Sequence, residues 1–144
     1  MNEAMFDLPQ TGFVDRTLTC ISGFTASGAE LMLIVERRPL ERGTSLRQAV
    51  TEHMRDADAR FRGYKPLFEQ EIVIAEHGAI DVGSRWRSDA GAPIYTRRVH
   101  LALENAEREV GGRLWLIFTC EVFYDERDAA DAHLTHVIES LKLR

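Results

Sequence analysis

The chain has 144 residues, 44% of them hydrophobic, which is enough for one core and too few for two comfortable domains, so residues 1–144 read as a single domain. Its formal charge of -5 comes from interspersed acidic and basic residues, and this excludes the basic stripe of a nucleic-acid binder. Neither a secretory leader nor an apolar run of the ~18–20 residues needed to span a bilayer is visible, so a cytoplasmic location without membrane anchoring is expected.

In chain order, a short extended piece at Phe6 to Leu8 and a turn at Pro9 to Gly12 precede a strand over Phe13 to Ile21, rich in β-branched and apolar residues. A small-residue turn at Gly23 to Gly28 follows. The strand Glu30 to Glu36 then places Leu31, Leu33 and Val35 on one face and Met32 and Ile34 on the other, so both faces are apolar. Cys20 and Cys120 both fall in predicted strands, where reduced thiols pack as small hydrophobes.

Pro39 and Gly43 break the chain before the first helix. Ser45 and Gln48 form the pattern of a capping box, in which each side chain satisfies a free backbone N–H at the helix start. Leu46, Ala49, Val50, His53, Met54, Ala57 and Phe61 recur at helical spacing, and Gly63 stands at the stop. On that stripe His53 reads as a packed or half-exposed histidine rather than a ligand.

From Pro66 the period returns to two. Phe68, Gln70, Ile72 and Ile74 lead through a turn at His77-Gly78 into Ile80, Val82, Ser84 and Trp86, the pattern of an antiparallel hairpin. Asp89 to Pro93 turns the chain into a strand over Ile94 to Glu104, and Gly111-Gly112 turns it into another over Arg113 to Phe123. In this last strand Leu114, Leu116, Phe118, Cys120 and Val122 oppose Trp115, Ile117, Thr119, Glu121 and Phe123. Both faces must be covered, because each large side chain left in water forgoes roughly 1.5–3 kcal/mol of burial. A final helix begins near Asp125, the expected N-cap, with Ala130, Leu134, Val137, Ile138 and Leu141 on one side.

This order gives an α+β fold, a mainly antiparallel sheet with the two amphipathic helices expected on one face. The more uniformly aliphatic parity, Leu18, Cys20, Leu31, Leu33, Val35, Ile72, Ile74, Val99, Leu101, Leu103, Leu116, Phe118 and Val122, is assigned to the helices. The other face then carries Thr17, Thr19, Ile21, Met32, Ile34, His100, Ala102, Trp115, Ile117 and Thr119, too apolar for ordinary solvent surface. Burial under loops, burial against a second copy and use as a binding face all explain it.

Chemistry is sparse. His133 and His136 lie three apart on the last helix without a third ligand at metal spacing, and they read as a solvated flank. Gly111-Gly112 precedes a strand rather than a helix, so it is not a phosphate loop, and no nucleophile turn appears. Asp15-Arg16 reads as a strand-end salt bridge or turn contact. No catalytic residue, metal or cofactor is expected, although a hydrolytic use of His100 with Asp15 or Glu121 stands as a weakly motivated alternative.

The run Phe6-Asp7-Leu8-Pro9, then Val14-Asp15-Arg16-Thr17-Leu18-Thr19, then Glu36-Arg37-Arg38-Pro39 resembles the Eag-type chaperones of bacterial type VI secretion and their wider DcrB-related family. Gly43-Thr44-Ser45-Leu46, Gly63-Tyr64, Pro93-Ile94-Tyr95 and the late Leu-Ile-Phe-Thr strand continue the match over nearly the whole chain. The resemblance implies a PsbP-like fold, a homodimer, and a cytoplasmic chaperone that shields the N-terminal transmembrane helices of an effector and helps load it onto the secretion spike. It would make the second sheet face the client surface, with Ile21, Met32, Ile34 and Ile117 replacing lipid contacts, and Thr17, Thr19 and His100 meeting polar groups of the client helices. A module of the same fold for a small apolar ligand or peptide is the alternative.

Overall fold

The computed structural model describes residues 18–104 and 113–141. The expected turns at Pro9 to Gly12 and Gly111-Gly112, the start of the first strand, and Asp15, Arg16 and Thr17 lie outside the described residues. The elements are β1 (Leu18–Phe24), β2 (Glu30–Pro39), α1 (Leu46–Arg60), β3 (Lys65–Ile74), β4 (His77–Arg87), β5 (Pro93–Glu104), β6 (Arg113–Phe123), a short 3-10 turn (Tyr124–Glu126) and α2 (Arg127–Glu139). The strands form one six-stranded sheet in the order β1-β2-β6-β5-β4-β3, and the pairs are all antiparallel. The α+β class expected from the alternating periods holds.

Local chemistry explains most of the boundaries. Thr25 Oγ1 accepts from Ala29 N at 3.1 Å and Gly28 takes φ +85, which closes the β1–β2 turn and pairs Phe24 with Glu30. At α1 the capping box forms as read, Ser45 Oγ accepting from Gln48 N at 3.1 Å and Gln48 Oε1 from Ser45 N at 2.9 Å. The β3–β4 turn is not at His77-Gly78 but two residues earlier, at Ala75 (φ 46) and Glu76 (φ 71), while His77 and Gly78 already pair with Ile74 and Val73. A two-residue turn with both φ values positive matches the twist of the flanking strands, and here that geometry outweighs the backbone preference for glycine. Asp125 does not cap α2 either. It sits inside the 3-10 turn, and the N-cap position, Glu126, makes no side-chain capping bond.

The helices do not share one face; each covers its own. Ala130 and Leu134 of α2 bury against Leu31, Leu33, Val99, Leu101, Phe118, Cys120 and Val122. On the other face, Val50 of α1 buries against Ile80 and Val82, and Ala49 against Trp115 and Ile117. Two helices on one side would have left Ile80, Val82, Trp115 and Ile117 in water, at roughly 1.5–3 kcal/mol each. The two apolar faces of β6 thus reflect a central strand held between layers.

A polar clamp fixes the α2 side. Asp81 is fully buried (0% exposed) and accepts from Arg97 Nε at 2.9 Å, Arg97 Nη2 at 2.7 Å and Gln70 Nε2 at 3.0 Å. Arg97 Nη1 also donates to Asp131 of α2 at 3.3 Å, and Tyr95 Oη donates to the same carboxylate at 2.7 Å. The Asp81 hydrogen bonds hold the Arg97 guanidinium's pKa above its ordinary value. Strands β3, β4 and β5 are therefore tied to α2 through one bidentate ion pair.

Candidate functional site

Among the described residues the sheet face beneath α1 is only half covered. Direct register partners on antiparallel strands point the same way, so this face can be read row by row. One row runs Val82, Arg98, Thr119, Ile34, Cys20; the next runs Ser84, Thr96, Glu121, Met32, Ser22; a third runs Ile80, His100, Ile117, Glu36, Leu18. Helix α1 lies over the β4–β5 end of these rows and reaches Trp115 and Ile117 on β6. At the β1–β2 end, Leu18 is 61% exposed, Phe24 80% and Phe123 51%, around half-buried Met32 and Ile34. Among these residues a shallow groove of about 120 Å³ is lined by Glu30, Met32, Ile94, Glu121, Val122 and Phe123.

The ten residues expected on this face divide accordingly. Met32, Ile34, His100, Ala102, Trp115, Ile117 and Thr119 do share it, and Thr17 lies outside the described residues. Thr19 and Ile21 do not: they pair with Val35 and Leu33 and so point to the α2 side. The residues of β1 that face Met32 and Ile34 are Ser22 and Cys20, with Leu18 and Phe24 in the same parity. Register in β1 follows from the Thr25–Ala29 turn, and a count taken from hydrophobicity alone was one residue out, which inverts every side chain of the strand. Counting back from the turn would have identified Phe24, and carrying the β6 alternation to its end would have identified Phe123.

Four of the expected residues, His100, Trp115, Ile117 and Thr119, are buried, so they cannot present a free surface. His100 is 1% exposed and accepts from Trp115 Nε1 through Nδ1 at 3.2 Å, while its Nε2 has no partner among the described residues. The His53 ring lies edge-on, 5.3 Å from His100 and 5.9 Å from Trp115 between ring centroids. Burial pushes both histidines down, His53 to about 4 from 6.5 and His100 well below 6.5, and neighbouring Arg98 and Arg38 add to this in each. The packed-histidine reading of His53 fits this contact. His100 and Glu121 lie four residues apart along the ladder, about 13 Å at strand spacing, so a His–carboxylate couple is not assembled there.

The α2 side carries a second concavity. A groove of about 500 Å³ between the β1–β2 turn and α2 has Ile21, Leu31, Leu33, Ala129 and Ala132 on its walls and His133 and His136 at its rim. Among the described residues no three His, Cys, Asp or Glu side chains gather to hold a metal, and no helix is long and apolar enough to cross a membrane.

Solved structures share the whole architecture. The chain superposes on PA94 from Pseudomonas aeruginosa, a protein of unknown function, with a TM-score of 0.77 at 19% identity, covering 100% of this chain and 94% of that one. LpqN, involved in cell envelope biogenesis in Mycobacterium tuberculosis, matches with a TM-score of 0.61 at 8% identity over 88% of this chain and 83% of its own. At these identities the likeness speaks for the fold. No curated protein sequence matches significantly. The DcrB family model, however, matches residues 3–140, nearly the full length, and the chain belongs to the DcrB family.

Proposed function

We propose that this protein is a non-enzymatic cytoplasmic chaperone whose open sheet half holds the apolar N-terminal transmembrane helices of a type VI secretion effector until the effector is loaded on the spike. The carrying observation is the uncovered cluster of Leu18, Phe24, Met32, Ile34 and Phe123 on one contiguous face. A helix bound for a membrane exposes ~20 apolar residues, and water penalises that surface by roughly 25 cal/mol per Å². Large side chains on a rigid sheet replace lipid contacts at little entropic cost, because the sheet is already ordered. One half-face touches only one side of a helix, so complete shielding calls for two copies, which supports a homodimer.

The type VI assignment is supported by the order and spacing of the motifs shared with Eag-type chaperones. Cys20 supplies the test, since it is exposed on this face while Cys120 is buried. Co-expression with an effector bearing N-terminal hydrophobic helices should keep the effector soluble and protect Cys20 from alkylation. Phe24→Asp together with Ile34→Asp should remove both effects. An effector equally soluble without the protein would end this reading.

The groove beside α2 favours a second reading, a binding module for a small apolar ligand or peptide, because about 500 Å³ lies within the size of small-molecule sites. Displacement of a fluorescent fatty acid, blocked by Ala132→Trp and untouched by Phe24→Asp, would favour it over the first.

A further inference from the structure

We infer that Arg98 is a recognition point on the open face, receiving the free carbonyl or carboxylate oxygens at the C-terminal end of a docked apolar helix. The inference rests on the client-holding reading above and names the chemistry of one end of the client.

Arg98 stands where the covered and open halves of the face meet, in the row that continues through Thr119 and Ile34 to Cys20. Its guanidinium lies 5.8 Å from the centroid of the Phe61 ring, at the C-terminal end of α1. Among the described residues no hydrogen bond or ion pair engages it. Neither neighbouring acidic group, Glu121 or Glu36, forms an ion pair with it, and Glu36 pairs with Arg38 instead. Tyr64 is the other titratable group beside it. Burial outweighs these neighbours and lowers the pKa of Arg98.

A half-buried guanidinium carries five N–H donors and a charge that is costly to desolvate without an acceptor. The open part of the face beyond it presents Leu18, Phe24, Met32 and Ile34, so an apolar helix that docks on them brings one end toward Arg98. The C-terminal end of a helix offers four carbonyls without intrahelical partners and about half a negative charge. A planar fork of donors suits two such oxygens at once, where a hydroxyl or amide would meet only one. Arg98 thus sets the direction of the client, C-terminal end toward α1.

The test uses the full chain and a labelled Leu/Ala helical peptide of about 16 residues, made with either a free C-terminal carboxylate or an amide. By fluorescence anisotropy the carboxylate form should bind about tenfold tighter, the scale of one charge-assisted hydrogen bond, and the preference should fade with salt. Arg98→Gln should erase the preference while leaving amide-form affinity within about twofold, and Arg98→Lys should restore part of it. Equal affinity for the two peptides in the wild type, or an Arg98→Gln variant that keeps the preference or weakens both forms alike, would overturn the anchor and leave the face reading intact. Failure of both peptides to bind or to protect Cys20 would remove the face reading and the anchor together. Circular dichroism reports whether Arg98→Gln is folded, and if it is not, Arg98→Lys decides by its intermediate preference.

Discussion

Replacing Asp81 by Asn is the sharpest probe of the fold that carries the site. The side chain is fully buried and accepts three hydrogen bonds, two of them from Arg97, whose own side chain is only 13% exposed. The substitution keeps the volume and one acceptor oxygen but removes the charge, so Asp131, at 3.3 Å, is the carboxylate left to Arg97 among the described residues. Breaking one side of a buried pair costs about 3–5 kcal/mol, and because Asp131 remains, the lower end, about 3 kcal/mol, is expected. That is a large part of a total stability of about 5–15 kcal/mol. At about 2–4 °C per kcal/mol for a chain of this size, the melting temperature should fall by about 10 °C. Urea denaturation and a thermal melt at neutral pH measure both. The double variant Asp81→Leu with Arg97→Met removes both charges and should recover to within about 1 kcal/mol of the wild type. A loss under about 1 kcal/mol for Asp81→Asn, or a double variant worse than the single one, would refute the clamp.

His53 is held down to about 4, mainly by burial, so the native state resists its protonation. Its contribution to stability is therefore complete above pH 6.5 and declines as pH falls from 6.5 toward 4, and His53→Gln should give a shallower decline in urea midpoints over that window; an unchanged slope would count against the burial argument. Thiol titration should find one cysteine reactive in the native protein and the second only in denaturant, because Cys20 is exposed whereas Cys120 is buried and its pKa is pushed up to about 11. Gly83→Ala would place a Cβ 2.1 Å from Cε1 of Phe68, so it should lower the urea midpoint by an amount equivalent to about 1–3 kcal/mol. Phe68→Leu should relieve part of that loss, and additive effects of the two changes would show that the ring is not the obstacle.

Element types were legible in the sequence wherever one period ran uninterrupted. The α1 stripe with its capping box, the alternation of β5 and β6, and the paired runs of the β3–β4 hairpin need only neighbours in sequence to be read. What failed required information from across the sheet. The parity of β1 depends on how the Thr25–Ala29 turn sets register against β2, and the composition of an edge strand, mixed on both sides, does not reveal it. Helix placement failed for a related reason. The stripe on α1 is lined by the small residues Ala49, Val50 and Ala57, which suit a sheet face that already supplies the bulk through Trp115, Ile80 and Ile117. Periodicity says that a helix buries a stripe but not which side of the sheet receives it. The candidate site suffered in the same way: the face was identified, yet the side chains that remain open on it are those past the reach of α1.

The two edges of the sheet differ in how they meet solvent. On β3, Lys65, Pro66, Glu69 and Glu71 and the register shift between Pro66 and Phe68 guard the edge against another strand. Among the described residues β1 is the opposite edge, and its sequence from Leu18 to Phe24 contains no charge and no proline. The same strand borders the exposed half of the α1 face, so among the described residues an edge without a further pairing strand and exposed apolar side chains occur together at β1. The β3 edge also exposes Val73 and Leu67, but its charges, proline and register shift disfavour a pairing strand there, whereas β1 has no charge and no proline. Under the proposed function, a single apolar partner, the client helix or a second copy closing over it, would meet both demands at once. On the proposed reading, grip comes from the apolar side chains beside β1 and direction from the guanidinium of Arg98, where α1 begins to cover the face.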